Sequence, residues 1–138
     1  MSVLDDMRDS KSIADLTVTL YDEPPATVVE LAGEFDAYTA RELRRHLAAY
    51  PPGRFANVIL DLRKLGFIDS AGIAVIVTLG KRAAAQSGTL RLVTPENHLL
   101  VKLRRMGLVK LWPIHGDLES AVAGFPRHDD ECAQPHCC

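Results

Sequence analysis

The chain has 138 residues, 47% of them hydrophobic and 25% charged, which predicts one globular domain and excludes a disordered, collagen-like or disulfide-dense chain. Its 16 Lys and Arg residues against 18 Asp and Glu give a net charge of −2, which argues against direct binding of nucleic acid. The longest uncharged apolar run, residues 70–80, is too short for a membrane span, which needs about 20 residues.

The two ends of the chain differ in composition from the middle. Residues 1–15 are acidic and lack the apolar core of a signal peptide, so we expect a flexible segment and a location in the cytoplasm. Residues 126–138 contain all three cysteines of the chain, which are Cys132, Cys137 and Cys138. With His136 they form a cluster that suits a soft metal, but the spacing matches no standard zinc site. We therefore expect a flexible tail, no metal or other cofactor, and a single domain over residues 16–125.

The first part of this domain predicts a hairpin followed by a helix. Apolar residues alternate over residues 16–21, a pattern typical of a half-buried strand. A Glu-Pro-Pro turn at residues 23–25 leads to a β-branched run over residues 27–32, so we expect the two strands to pair as a hairpin. Helical spacing over residues 36–50 predicts a helix, which the following Pro-Pro-Gly sequence ends.

The rest of the domain alternates predicted strands and helices. In order these are a strand over 57–62, a loop over 63–68, a helix from 69 or 70 to 87, a strand over 90–93, a helix from 95 or 96 to 106, a strand over 108–112 and a helix over 117–123. Such alternation predicts an α/β fold with right-handed crossovers between parallel strands. We expect a mixed sheet with an N-terminal hairpin and about four helices packed on it.

The sequence lacks the motifs of common enzyme chemistry. It contains no phosphate-binding glycine-rich loop, no dinucleotide fingerprint and no His-Glu-x-x-His zinc motif. Around Ser70 it reads Ile-Asp-Ser-Ala-Gly, so the first glycine of the Gly-x-Ser-x-Gly motif of serine hydrolases is missing. None of the five histidines has a clear partner at the spacing of a triad or metal site. We therefore expect a binding protein and not an enzyme.

The helix that begins at Asp69 or Ser70 has two distinct predicted faces. Either residue suits an N-cap, whose side chain accepts a backbone N–H bond. At 100° per residue, one face is expected to pack on the sheet, and it comprises Ile73, Ile76, Val77, Gly80 and Ala84. The neighbouring face is a stripe of small residues, namely Ser70, Ala74, Thr78, Lys81 and Ala85. A smooth stripe with a hydroxyl at its top suits the docking of a flat partner surface.

The position of Ser70 also suits a phosphorylation switch. A phosphate there would meet the free N–H groups at the positive end of the helix, so the modified domain would stay folded. It would place close to two negative charges beside Asp69, in the centre of the docking surface. Desolvating those charges against a partner without a matching site would weaken binding.

Three segments of the sequence resemble a known family. Gly-Glu-Phe-Asp-Ala-Tyr-Thr-Ala at residues 33–40, Asp-Leu-Arg at 61–63 and Phe-Ile-Asp-Ser-Ala-Gly-Ile at 67–73 resemble the STAS domain, and more narrowly bacterial anti-sigma factor antagonists. The resemblance covers roughly residues 16–123, in the expected order of elements. The Asp-Ser-x-Gly segment after an apolar strand is its most specific part.

The resemblance implies a partner-switching mechanism. In that family the unphosphorylated antagonist binds an anti-sigma factor that is a serine kinase, so sigma factor is released. The kinase then phosphorylates the antagonist, which dissociates, and a PP2C-type phosphatase resets it. The resemblance makes Ser70 the acceptor and places Asp36 and Asp69 at the partner surface, while the ATP belongs to the partner. Many members carry a second serine where this chain has Ala71, so one hydroxyl is lost.

Several residues allow two interpretations. Asp36 suits a helix cap or a partner contact, and Phe67 suits core packing or a partner contact. The basic cluster of Lys102, Arg104 and Arg105 suits a solvated helix face or a site for an anionic partner. The predicted partner-binding set is Asp36, Phe67, Asp69, Ser70, Ala74 and Thr78. An alternative function is a STAS scaffold or accessory subunit of a signalling or lipid-transport complex, without phosphorylation of Ser70.

Overall fold

The computed structural model of the chain describes residues 8–126 and shows a six-stranded mixed sheet with its strands in sequence order. The strands are β1 (Asp9–Ile13), β2 (Leu16–Glu23), β3 (Ala26–Phe35), β4 (Asn57–Ile68), β5 (Thr89–Val93) and β6 (Ile114–His115). The helices are α1 (Ala37–Ala48), α2 (Ser70–Ala85), α3 (His98–Arg105) and α4 (Leu118–Ala123), with 3-10 turns at Pro52–Phe55 and Leu108–Lys110. Strands β1 to β3 are antiparallel and β3 to β6 are parallel, as the alternation of elements predicts.

The sheet is covered on both faces. Helices α1, α2 and α3 bury one face in the larger core, whose fully buried side chains include Phe35, Leu43, Leu60, Ile76 and Leu103. Helix α4 covers part of the other face in a smaller core, formed by Tyr21, Ala26, Val28, Ile59, Val93, Ala121 and Phe125. The long apolar strand β4 is buried on both sides, as expected for a central strand.

The prediction of a flexible segment up to residue 15 is wrong for residues 9–13. These residues form the edge strand β1, which pairs with β2 from Asp9 opposite Leu20 to Ile13 opposite Leu16. The strand is exposed except for Ile13, so it lacks the apolar alternation by which strands are predicted. The predicted cysteine-containing tail lies outside the described residues.

The predicted loop over residues 63–68 is also wrong, because β4 continues through it to Ile68. The pairing of β4 with β3 shifts twice, between Glu30 and Ala32 and between Gly33 and Glu34. At each shift β4 has one more residue than β3, which is the arrangement of a β-bulge. The bulges keep Leu62, Leu65 and Ile68 in the core while the residues between them stay exposed.

The strand predicted over residues 108–112 is a 3-10 turn, and the last strand lies further on, at Ile114–His115. Gly107 has a φ of +80°, a conformation that ends α3 and that glycine adopts without strain. In the run that follows, Leu108 is buried and Val109 and Leu111 are both exposed, so the run does not alternate as a strand would. Helix α3 begins at His98, two or three residues later than predicted. Its cap is Asn97, whose side-chain oxygen accepts the Leu99 N–H.

Two histidines predict how stability depends on pH. Burial lowers the pKa of His46, with Lys11 adding to the effect, and burial with the nearby Arg91 lowers the pKa of His115. The folded chain therefore binds fewer protons than the unfolded chain, and its stability falls as the pH drops below the ordinary histidine value of about 6.5. Thermal unfolding should show a lower Tm at pH 5.5 than at pH 7.5, and the double variant His46→Gln/His115→Gln should flatten this difference. An unchanged difference in the double variant would assign the effect to other groups.

Candidate partner-binding surface at the start of α2

The candidate site lies where β3 and β4 end side by side. Phe35 pairs with Ile68 at the ends of these parallel strands, and the Asp69 N–H donates to the Phe35 carbonyl at 3.3 Å. Helix α1 starts directly after β3, and α2 starts directly after β4. The fold therefore brings the N-termini of two helices, with the residues that cap them, together at the C-terminal ends of β3 and β4.

Asp36 caps α1, so the first of its two interpretations, a helix cap, is correct. Its carboxylate accepts the Thr39 N–H at 3.0 Å, and the Asp36 N–H donates to the Thr39 hydroxyl oxygen at 2.9 Å. The Thr39 hydroxyl also donates to the Glu34 carbonyl at 2.9 Å, which ties the cap to the end of β3. The Thr39 N–H bond is the main cause of the lowered pKa of Asp36, which keeps this side chain ionised.

Asp69, and not Ser70, is the N-cap of α2. One oxygen of its carboxylate accepts the N–H of Ala71 at 2.9 Å and the N–H of Gly72 at 3.2 Å. Ser70 is the first helical residue and is exposed, so its hydroxyl lies outside the capping bonds. This geometry corrects the expectation that a phosphate on Ser70 meets free amides, because Asp69 already occupies two of them.

Gly72 allows the start of α2 to lie directly on the strand ends. A Cβ atom at this position would lie 2.8 Å from Ile68 Cγ1, 2.9 Å from Phe35 Cδ2 and 2.9 Å from the Phe35 carbonyl oxygen. These distances are too short for carbon contacts, so only glycine fits without a shift of the helix. The Ser70 hydroxyl is thus carried on a firmly packed element.

The exposed side of α2 carries the stripe of small residues. Ser70, Ala74, Lys81 and Ala85 are exposed and Thr78 is half-buried, with its hydroxyl donating to the Ala74 carbonyl at 3.0 Å.

The prediction of the sheet-facing side of α2 is partly wrong. Val77 is half-buried and Ala84 is exposed, whereas four further residues are buried, namely Gly72, Val75, Leu79 and Ala83. Helix α2 contacts α1 as well as β4 and β5, so its buried arc is wider than the sheet alone would require.

Two aromatic side chains flank the start of α2. Phe67 is 43% exposed and Tyr38, in the first turn of α1, is 57% exposed. Phe67 is held from one side by Lys102 of α3, whose Nζ lies 5.4 Å from the ring centroid and donates to the Ile68 carbonyl at 2.6 Å. Phe67 is therefore a surface residue. The predicted partner-binding set does not include Tyr38. Its place in the sequence, two positions after Asp36, could have indicated that it lies near the same surface.

The Asp-Leu-Arg segment braces the first bulge of β4. Asp61 is 1% exposed and accepts the Arg63 backbone N–H at 3.1 Å, its Nε at 3.0 Å and its Nη2 at 2.7 Å. The hydrogen bonds to Asp61 raise the pKa of the Arg63 guanidinium. The role of this segment is thus to fix the backbone that leads to the site.

We expect Asp61→Asn to destabilise the domain by about 2 kcal/mol, less than the roughly 3–5 kcal/mol of a broken, fully buried ion pair, because Arg63 is partly exposed. The amide NH₂ would replace one of the two acceptor oxygens and leave at least one Arg63 donor without a partner on this side chain. Urea unfolding measures the change. The matched control is Glu30→Gln, which removes the more exposed pair with Lys64 and should cost less than about 0.5 kcal/mol. Equal losses in the two variants would contradict the bracing role of Asp61.

Two further observations concern the described part of the chain. No helix within residues 8–126 is long and apolar enough to cross a membrane. No group of three or more His, Cys, Asp or Glu side chains in that range is arranged to hold a metal ion. The sequence-predicted cluster at His136 lies outside it.

Comparison with known proteins identifies the class of this fold. A family model described as the STAS domain matches residues 17–121. The anti-sigma F factor antagonist of Paenibacillus polymyxa is 30% identical over 98 residues, which cover 69% of this chain and 82% of that protein.

Three solved structures, of two anti-sigma factor antagonists, share the fold. An anti-sigma factor antagonist from Mycobacterium paratuberculosis has a TM-score of 0.69 and 23% identity, covering 83% of this chain and 98% of that one. The antagonist SpoIIAA in its unphosphorylated form has a TM-score of 0.60 and 18% identity, covering 87% of this chain and 99% of that one. SpoIIAA, a Bacillus cell fate determinant, has also been solved in its phosphorylated form, with a TM-score of 0.58, 18% identity and coverage of 84% of this chain and 96% of that one.

The chain belongs to the STAS domain family, since the family model spans most of its described residues. Within that family it belongs with the anti-sigma factor antagonists, the group to which its curated relatives are assigned. The resemblance found in the three sequence segments is thereby confirmed, and so is the mixed α/β fold that the alternation of strands and helices predicted.

Proposed function

We propose that this chain is a cytoplasmic binding module that antagonises an anti-sigma factor through the surface at the start of α2. In its unphosphorylated form it binds an anti-sigma factor that is a serine kinase, so that sigma factor is released. Phosphorylation of Ser70 ends the binding, and a PP2C-type phosphatase restores it. The chain is the substrate of the kinase and the phosphatase and has no catalytic residues of its own.

One observation carries this proposal: Asp69 caps α2 and leaves the exposed Ser70 hydroxyl unused at the start of a firmly packed helix. A kinase can reach a hydroxyl in this position without unfolding the helix. Because the Ala71 and Gly72 amides are already bonded to Asp69, a phosphate on Ser70 adds charge that these two amides cannot neutralise. The added charge lies beside a carboxylate, and this repulsion opposes the docking of a partner fitted to the neutral hydroxyl.

The partner contacts that we propose follow from exposure around Ser70. Phe67 and Tyr38 supply apolar area at the two helix starts, and Ala74 and Thr78 supply the smooth continuation of the surface along α2. Asp36 and Asp69 contact the partner through the carboxylate oxygens that their caps leave free. The named functions of the relatives support the proposal, since the Paenibacillus relative is an antagonist of an anti-sigma factor and SpoIIAA has a phosphorylated form.

A capture experiment tests the proposal. Tagged wild-type chain, Ser70→Ala and Ser70→Asp are each used to retain proteins from lysate of the native cell, and mass spectrometry identifies them. Wild type and Ser70→Ala should retain an anti-sigma kinase that Ser70→Asp loses. Ser12→Asp places the same charge at an exposed position on the edge strand β1 and should behave as wild type. Retention of one kinase-free complex by all four chains would instead support the scaffold function.

A further inference from the structure

A single stretch of the chain, residues 97–116, combines positive charge with exposed apolar side chains. It contains no Asp or Glu, although the chain as a whole has a net charge of −2. Its cations are Lys102, Arg104, Arg105 and Lys110. It also holds four of the six large hydrophobic side chains that are exposed in the described part of the chain, namely Val101, Met106, Val109 and Leu111.

The positive charges of this stretch are not neutralised within the described structure. The four ion pairs found among residues 8–126 all involve other cations, at positions 45, 54, 63 and 64. Around the exposed side of α3 the surface is concave, with a volume of about 500 Å³ lined by His98, Val101, Lys102, Arg105 and Met106. We call these five residues together with Phe67 the α3 patch.

The α3 patch is continuous with the surface around Ser70. Lys102 joins them, because its Nζ donates to the carbonyl of Ile68 and lies against the ring of Phe67. His98 Nε2 lies 3.3 Å from the Gly66 carbonyl oxygen, which adds a second contact between α3 and the end of β4. A protein that covers Ser70 and Phe67 therefore meets α3 next.

We propose that the α3 patch binds an acidic segment with apolar side chains, on the same partner that docks at Ser70. This inference rests on the proposed function. Exposed apolar residues bordered by charges mark interaction surfaces, and opposite charges across an interface select the partner and its orientation. Met106, 51% exposed, and Val101 supply the apolar contact, while Arg105 and Lys102 supply the charge that selects acidic residues.

The shape and charge of the patch favour a protein segment over a lipid surface. The patch is concave, whereas a helix that lies on a membrane presents a convex face. Only two cations line it, fewer than the roughly four to eight Lys or Arg residues that mark a lipid-binding cluster. A concave surface of this size instead accommodates a few side chains of a partner protein.

The test measures affinity for the protein that the capture experiment identifies. Arg105→Glu and Met106→Ser change exposed side chains and should each weaken binding, by about tenfold or more for the charge reversal. The loss in Arg105→Glu should shrink as salt is raised, because the wild-type attraction is screened. The matched control is Lys11→Glu on β1, at the far edge of the sheet, which should bind as wild type. Thermal unfolding confirms that all three variants are folded.

The outcomes separate the patch from the proposed function. Wild-type affinity in Arg105→Glu and Met106→Ser, with binding lost in Ser70→Asp, would overturn the patch and leave the Ser70 switch standing. Unchanged affinity in all three variants would overturn both. If Arg105→Glu keeps its partner but loses flotation with phosphatidylglycerol vesicles that wild type shows, the patch is a lipid-binding surface and our proposal is wrong.

Discussion

Ser70→Asp should weaken binding to the anti-sigma partner by about 100-fold or more, while Ser70→Ala should stay within about threefold of wild type. In the proposed complex the partner covers this exposed hydroxyl, and removing it should cost little because the group carries no charge. A carboxylate at that position must lose its water and faces the neighbouring carboxylate of Asp69, whose oxygen is committed to the Ala71 and Gly72 amides.

Isothermal titration calorimetry with the purified partner measures these affinities. Phosphoserine should weaken binding further than aspartate, because it carries close to two charges. The control is Ser12→Asp, which changes the net charge equally at the edge strand. Equal losses in Ser70→Asp and Ser12→Asp would show that net charge, and not the position of Ser70, controls binding.

Gly72→Ala should lower the free energy of unfolding by about 2 kcal/mol, against the usual stabilising effect of alanine in a helix. The added methyl group meets the Phe35 carbonyl, a backbone atom that cannot turn away, as well as the side chains of Ile68 and Phe35. To relieve the overlap, α2 must shift at its first turn, which also displaces Ser70. Partner binding should therefore weaken even where the variant is fully folded.

Gly53→Ala is the matched control for Gly72→Ala. A Cβ atom at Gly53 has no neighbour within 4 Å, so this change should alter stability by less than about 0.5 kcal/mol. Urea unfolding of both variants measures the two changes in the free energy of unfolding. If Gly72→Ala is as stable as Gly53→Ala, the start of α2 is not held against the strand ends as described.

The positions of the hairpin and of α2 were predictable because local signals in the sequence mark them. Alternation of apolar residues marks β2, and Gly88 marks the end of α2. Strand β4 was predictable only to Leu62, since the bulges beyond it break the period of two that identifies a strand. The run from Leu108 is apolar but too short for periodicity to separate a strand from a turn.

The residues predicted for the candidate site lie at the adjoining starts of α1 and α2 or along α2, but the sequence did not show which residue caps α2. Asp69 and Ser70 are both good N-caps, so sequence alone could not tell which one caps α2 and which stays free. The backbone conformation settles this, because the extended Asp69 precedes the helix and Ser70 is inside it. The contact of Lys102 with Ile68 joins residues 34 positions apart and leaves no local signal, so the link between α3 and the site required the fold.

In the proposed mechanism the partner phosphorylates Ser70, and this phosphorylation separates the partner from the antagonist. The most direct measurement incubates the purified complex with ATP, maps the phosphate by mass spectrometry and follows dissociation by size-exclusion chromatography. We expect phosphate on Ser70, loss of the complex in wild type and a complex that persists in Ser70→Ala. Phosphate on another residue, or a wild-type complex that survives stoichiometric phosphorylation of Ser70, would overturn the proposed switch.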